Sequence, residues 1–302
     1  MKLNNNFEFN GLQSYSKETG LSKEKLVEAF NIENSFHNKL KNQQSYNLRE
    51  ALYKEFYHKL LNFYERLSIE DDSILKKISL KDNHVKLFSK ELFNKSIIDF
   101  GCGEGLFLRN IKKNIKHKDL VGVDIFIPKN LREIKKIRFI SSSIINFKTK
   151  KKFDVAFSDN VMEHISVLDY NDHLTSIYNS LKPGGIFILI MPNRLFGPSD
   201  ITRIIDNSST GQTSAKGGHL NESTYTEMIN WLTKVGFINF KTVFPIPYIK
   251  HFSFFRFFRI KTNWIRKIEK NNLMLKLFRS LKYKGRCQIR FTITLICQKP
   301  VN

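Results

Sequence analysis

The stretch Ser96-Ile97-Ile98-Asp99-Phe100-Gly101-Cys102-Gly103-Glu104-Gly105 decides how the rest of the chain is read. Ser96 to Phe100 reads as a short buried strand. Three glycines at alternate positions then let the backbone take positive φ and approach a ligand with no Cβ in the way. Leu106 to Ile115 resumes helical spacing, so the unit is strand, glycine turn, helix. The spacing Gly101-x-Gly103-x-Gly105 is not the Gly-x-Gly-x-x-Gly of dinucleotide folds. No Lys-Ser/Thr follows it as a P-loop requires, so the turn is not expected to grip its ligand by phosphates.

The same grammar repeats downstream. Short apolar runs at Leu120–Asp124, Ile137–Ile140, Phe153–Ser158 and Gly185–Met191 alternate with polar or helical sequence, which predicts an open, mostly parallel α/β sheet. Asp124 closes the second strand. At that carboxyl edge, where open sheets bind ligands, Asp99 and Asp124 are acceptors suited to hydroxyls and ammonium groups. Upstream, residues 1–94 read as a helical extension. One helix is expected to start after Ser22, and another from Tyr46 to Leu67, with Leu48, Leu52, Phe56, Leu60, Leu61 and Phe63 along its buried stripe.

The 302-residue chain is 41% hydrophobic and 26% charged, which excludes a disordered, collagenous or disulfide-framed protein. The longest central apolar run, Ile186 to Met191, is too short to cross a bilayer, and the amino terminus lacks the apolar core of a signal peptide. Cys102, Cys287 and Cys297 show no CxxC spacing, which predicts a reduced, cytoplasmic protein without a zinc site. The net charge of +22 is concentrated. Residues 110–152 carry 13 basic and 3 acidic side chains, and residues 249–290 carry 13 basic and 1 acidic. Such fields favour an anionic partner.

At the glycine turn and Asp124 the chain resembles the class I S-adenosylmethionine-dependent methyltransferases. Ile97 to Gly105 is similar to that family's first motif, Val121-Gly122-Val123-Asp124 to its second, Phe153 to Val161 to its fourth strand and following loop, and Leu181-Lys182-Pro183-Gly184-Gly185 to the turn into its fifth. The resemblance implies a Rossmann-like seven-stranded sheet with helices on both faces. Its sixth strand would be Phe237–Ile246 and its last Gln288–Gln298, in a domain spanning 95–302 with a helical insertion at 249–285. It implies S-adenosyl-L-methionine as cofactor. The contacts would be Asp99, Gly101, Cys102, Gly103 and Gly105 in the first motif, Asp124 and Ile125 after the second strand, Ser142 and Ser143 after the third, and Asp159 after the fourth. The chain departs from the family where Ser141-Ser142-Ser143 stands in place of the acid that meets adenine.

Methyl transfer asks the protein for proximity and, with a hydroxyl acceptor, a route for the proton. Glu163 and His164 follow the fourth strand, and His219 precedes a helix expected over Glu222–Trp231, which makes these three the candidate catalytic residues. The pair of segments resembles ubiquinone-pathway O-methyltransferases (Glu-x-x-Glu-His) and small-RNA 2′-O-methyltransferases (the same motif plus a later His-x-x-Glu-x-Thr), some of which are thought to use a divalent metal. Here Asn160 replaces the first Glu, so the metal is left open; plain general-base work by His164 and a purely structural histidine are the other readings. Arg194 and Arg203, on the loop after the fifth strand, are candidate clamps for an acidic substrate group.

The segment 249–285 interleaves Phe252, Phe254, Phe255, Phe257, Phe258 and Trp264 with arginines and lysines. Three roles fit such a segment: a cap over the substrate site, contact with an anionic membrane surface, and nucleic-acid binding, the last favoured least. The sequence reading is a cytoplasmic enzyme that O-methylates an anionic or lipid-linked saccharide of the cell envelope. Its rivals are a metal-assisted RNA 2′-O-methyltransferase and a non-catalytic scaffold of the same fold.

Overall fold

The structure, a computed structural model, describes residues 7–68, 81–243, 258–280, 282–283, 286–287 and 292–301. Helices α1 (Leu12–Thr19), α2 (Lys23–Asn42) and α3 (Tyr46–Ser68) open the chain, followed by helical residues 81–87 (α4) and the short α5 (Ser89–Leu92). Ser22 caps α2 by accepting from the Lys25 amide, as its position predicts. The buried face of α3 keeps Phe56 and Phe63 of the expected stripe but departs from it at Leu48. Leu48 is 54% exposed, whereas Arg49, Tyr53, Phe56 and Phe63 are buried. The cause is polar. The Arg49 guanidinium is drawn inward to grip the Asp169 carboxylate, and it also donates to the carbonyls of Gln43 and Gln44.

The sheet strands are β1 (Ser96–Phe100), β2 (Asp119–Asp124), β3 (Arg138–Ser141), β4 (Phe153–Asp159), β5 (Leu181–Met191), β6 (Ile238–Val243), β7 (Arg259–Lys261) and β10 (Ile293–Gln298). Their spatial order is β3-β2-β1-β4-β5-β10-β6-β7. The first five run parallel, β10 is antiparallel to both β5 and β6, and β7 is antiparallel to β6. The chain reverses at β1, whose neighbours β2 and β4 lie on opposite sides, and this opens the ligand crevice at the carboxyl edge. β8 (Lys282–Tyr283) and β9 (Arg286–Cys287) form a separate two-stranded ribbon.

Helices α6 (Leu106–Asn114), α7 (Tyr170–Ser180), α8 (Tyr225–Val235), α9 (Asn263–Glu269) and α10 (Asn272–Ser280) complete the chain. One face of the sheet packs on α7, α8 and α9 through Phe187, Leu295, Leu174, Met228 and Ile265. The other face packs on α5 and α6 through Phe157, Ile188, Leu92 and Phe107, with Phe107 and Phe157 stacked at 3.7 Å. The expected α/β architecture with helices on both faces is therefore what forms, but the sheet has eight strands rather than seven. The added strand, β7, comes from the segment expected to be helical. Its Arg259 donates to Glu91 of α5 at 2.7 Å and tethers the edge. The first aromatic run of that insertion, residues 249–257, lies outside the described residues. Among described residues no helix is long and apolar enough to cross a membrane.

Candidate active site

The glycine turn behaves as its sequence requires. Gly101, Gly103 and Gly105 have φ of +75°, +49° and +66°. A Cβ on Gly103 would meet nothing within 4 Å, so its backbone faces open space, whereas one on Gly101 would strike Val161 at 2.3 Å and one on Gly105 the Phe139 ring at 2.7 Å. Gly105 is thus needed for packing beneath α6, and Gly103 for access. Two cavities meet at this turn. One, of about 770 Å³, is lined by Gly101, Gly103, Asp124, Ile125 and Ser143, and by Tyr53, Tyr57, Val161 and His164. The other, of about 980 Å³, is lined by Lys81, His84, Asp99, Cys102 and Asp159, and shares Gly101, Gly103 and Asn160 with the first.

Asp124 accepts from the Gly103 amide at 2.8 Å and the Phe126 amide at 3.2 Å, which fixes its carboxylate at the cavity wall. Burial raises its pKa, and backbone N–H groups partly offset the rise. Asp99, buried at the end of β1, has no hydrogen-bond partner among the described residues, and burial pushes it up to about 8 against the pull of Lys81. A lone buried carboxyl beside open glycine backbone fits an ammonium donor. Asp159 is handled the opposite way. Although burial opposes ionisation, His84 at 2.9 Å and a close Lys81 contact hold it below its ordinary value. Its neighbour Asn160 takes φ +56°, a left-handed conformation rare outside glycine, and donates to Asp159 at 2.9 Å.

The three candidate catalytic residues do come together: ligand atoms of Glu163, His164 and His219 all lie within 4.8 Å of one another. His164 lines the first cavity, whereas Glu163 and His219 line neither. His164 Nδ1 lies 3.0 Å from the Gly218 carbonyl, which makes Nδ1 the donor and leaves Nε2 as an acceptor. Burial, reinforced by the charge of His219, lowers His164 to about 3 and keeps it neutral. For His219, burial works against the charged form, but the 2.6 Å contact with Glu222 and the Asp200 and Glu163 carboxylates lift it to about 9. Burial raises Glu163 to about 7, and both its oxygens are buried without a hydrogen-bond partner among the described residues. One carboxylate and two imidazoles, each imidazole oriented through Nδ1, form a donor set suited to a divalent cation.

Other expected residues take structural positions. Cys102 packs with Ile127 and Leu131, and burial pushes its thiol up. Ser142 donates its amide to the Asp124 carbonyl at 2.9 Å, while Ser143 reaches the cavity. Neither arginine is available as a clamp. Arg194 pairs with Glu227 and Arg203 with Glu18, both at 2.6 Å. The helix after His219 begins later than expected, because Thr224 and Glu227 form a reciprocal capping box. Sequence reasoning missed Lys81, His84, Tyr53 and Tyr57. The one available signal was Lys81-x-x-His84, a single helical turn just ahead of β1.

A family model described as a methyltransferase domain matches residues 73–241. A malonyl-[acyl-carrier protein] O-methyltransferase from Calditerrivibrio nitroreducens is 25% identical over 182 residues, which cover 59% of this chain and 65% of that protein, less than two thirds of its length. Among solved structures, a SAM-dependent methyltransferase from Archaeoglobus fulgidus aligns with a TM-score of 0.50 at 17% identity, covering 76% of this chain and 100% of that one. The Burkholderia thailandensis 1,6-didemethyltoxoflavin-N1-methyltransferase, solved with S-adenosylhomocysteine, aligns with a TM-score of 0.50 at 12% identity, covering 85% and 92%. At these identities the structural matches establish a shared fold.

Proposed function

The chain belongs to the methyltransferase-domain family, and from that premise we propose that it transfers a methyl group from S-adenosyl-L-methionine to an oxygen of an anionic or lipid-linked saccharide. The observation that carries this reading is the single wall shared by the glycine turn, Asp124 and His164. Asp124 is placed to accept from ribose hydroxyls. Ile125 and Ser143 flank the base, and Ser143 offers a neutral acceptor where an acid would be stronger. Asp99 takes the ammonium group, and Lys81, which lines the same cavity, faces the carboxylate. The cofactor supplies an activated methyl group, so the remaining work is alignment and removal of a proton.

Tyr53 and Tyr57 of α3 line the same cavity as His164, and an aromatic lining suits sugar rings. His164 Nε2 accepts the hydroxyl hydrogen and orients the oxygen lone pair. With its pKa held near 3, His164 positions the acceptor better than it stores the proton. A second reading therefore has its own support, a buried Glu163 carboxylate with no hydrogen-bond partner among the described residues. Glu163, His164 and His219 would hold a divalent cation, which would supply Lewis-acid activation for an acceptor hydroxyl. Exposed Trp264, Leu273 and Leu277 on α9 and α10, beside Lys267, Lys270 and Lys276, support contact with an anionic membrane surface.

Incubating the protein with methyl-labelled cofactor and fractionated envelope glycans tests the reading. Label should enter the glycan fraction, and His164→Ala should lower the rate by roughly 10²-fold or more without changing S-adenosylhomocysteine affinity. Chelator followed by metal add-back separates the two proton routes. A His164→Ala rate equal to wild type would remove this role.

A further inference from the structure

A second concave surface lies at the amino edge of the sheet, opposite the cofactor cleft. It is formed by the end of α6 (Lys112, Lys113), the connection into β2 (Lys116, Lys118) and the entry to β3 (Lys136, Arg138). All six cations are exposed, and among the described residues none has a carboxylate partner. The acid that lines the groove, Asp119, is taken by Lys151 at 2.6 Å. The carbonyl end of α6 accounts for Lys112 and Lys113. It does not account for the other four. Lys136 even sits at φ +68°, a left-handed conformation that costs a non-glycine residue energy. Like charges gathered in a concavity repel one another until an anion enters.

The lining also says which anion. Ile115 and Ile137 are its apolar members, partly or fully buried, so no exposed apolar side chain is present to anchor in a bilayer. The exposed Phe258 directly precedes β7, and the exposed Trp264, Leu273 and Leu277 belong to the helices after it, at the other end of the strand order. The groove has no aromatic platform for bases either, since the His117 ring is tied to the Ile115 carbonyl at 2.8 Å. What remains is a concave cationic lining with no exposed apolar or aromatic anchor, which suits the repeated charges of a phosphate backbone. We propose that this groove docks the phosphate backbone of a nucleic acid, without base readout, at a site separate from the methyl-transfer cleft.

Fluorescence anisotropy of the full chain with a labelled twenty-nucleotide single strand tests this directly, with a duplex and anionic vesicles as further arms. Six phosphate contacts predict a log K against log salt slope of about −4 for a single strand, on the order of −0.7 per contact. The triple variant Lys116→Glu, Lys118→Glu, Lys136→Glu should lose at least about tenfold in affinity and flatten that slope. S-adenosylhomocysteine binding, which reports an intact fold, should be unchanged. A control with Lys17→Glu, Lys23→Glu and Lys90→Glu changes the net charge equally and should bind like wild type. The proposal is overturned if both triple variants lose affinity alike, if no oligonucleotide binds, or if vesicles bind through the groove and oligonucleotides do not.

Discussion

Asp99 carries the clearest conflict between stability and function. Its carboxyl is buried, without a hydrogen-bond partner among the described residues, and raised to about 8. The folded state therefore keeps a proton that the unfolded chain releases near pH 4, so stability falls as pH rises from about 4 to about 8 and then levels. Asp99→Asn should remove that fall: its melting temperature should exceed wild type by a margin that widens across this window, measured by a pH series of thermal melts. The same variant should bind S-adenosylhomocysteine more weakly, because an amide cannot give up a proton to become a charged acceptor for the ammonium group. A buried carboxyl with no part in binding would give the first result without the second. Asp99 was legible in sequence because it ends an apolar run at the glycine turn. Its missing partner was not, since burial is a property of the assembled sheet.

Among elements, α3 decides whether the helical extension is an ornament or part of the site. It supplies Tyr53 and Tyr57 to the cavity, and it is fixed to the core by Arg49, whose guanidinium grips Asp169 just ahead of α7 while Tyr53 donates to the same carboxylate at 3.3 Å. Removing one partner of a buried ion pair strands the other. Arg49→Ala should thus cost about 3–5 kcal/mol in chemical denaturation, whereas breaking a solvent-screened surface pair such as Lys59–Glu55 should leave the denaturation midpoint almost unchanged. The apolar periodicity of α3 announced the helix but set its face wrongly at Leu48, because a buried arginine breaks the rule that charges face water. β7 escaped for a related reason. Arg259-Ile260-Lys261 has no apolar run, and it is a strand because β6 leaves an open edge beside it. Lys81 and His84 acquire meaning from Asp159, more than seventy residues away, a pairing that local spacing does not encode.

At the scale of the molecule, the sheet keeps two sets of charge apart. Carboxylates gather at the carboxyl edge around the glycine turn, and uncompensated lysines gather at the amino edge around Lys116 and Lys136. The parallel strands were legible as apolar runs, and so was the order of the motifs along them. The convergence of Glu163, His164 and His219 was legible only as two separated motifs, because the loop carrying His219 is placed by long-range contacts. The Gly218 amide donates to Glu33 of α2 at 2.7 Å, and the Leu220 amide to the Glu163 carbonyl at 2.7 Å. All of this depends on the carboxyl edge being a cofactor site. Isothermal titration of the full chain with S-adenosylhomocysteine measures that most directly. The account predicts one-to-one binding that Asp124→Ala weakens by at least about tenfold, the loss expected for hydrogen bonds to a charged acceptor. Absence of binding heat, or an Asp124→Ala variant that binds as tightly as wild type, would contradict it.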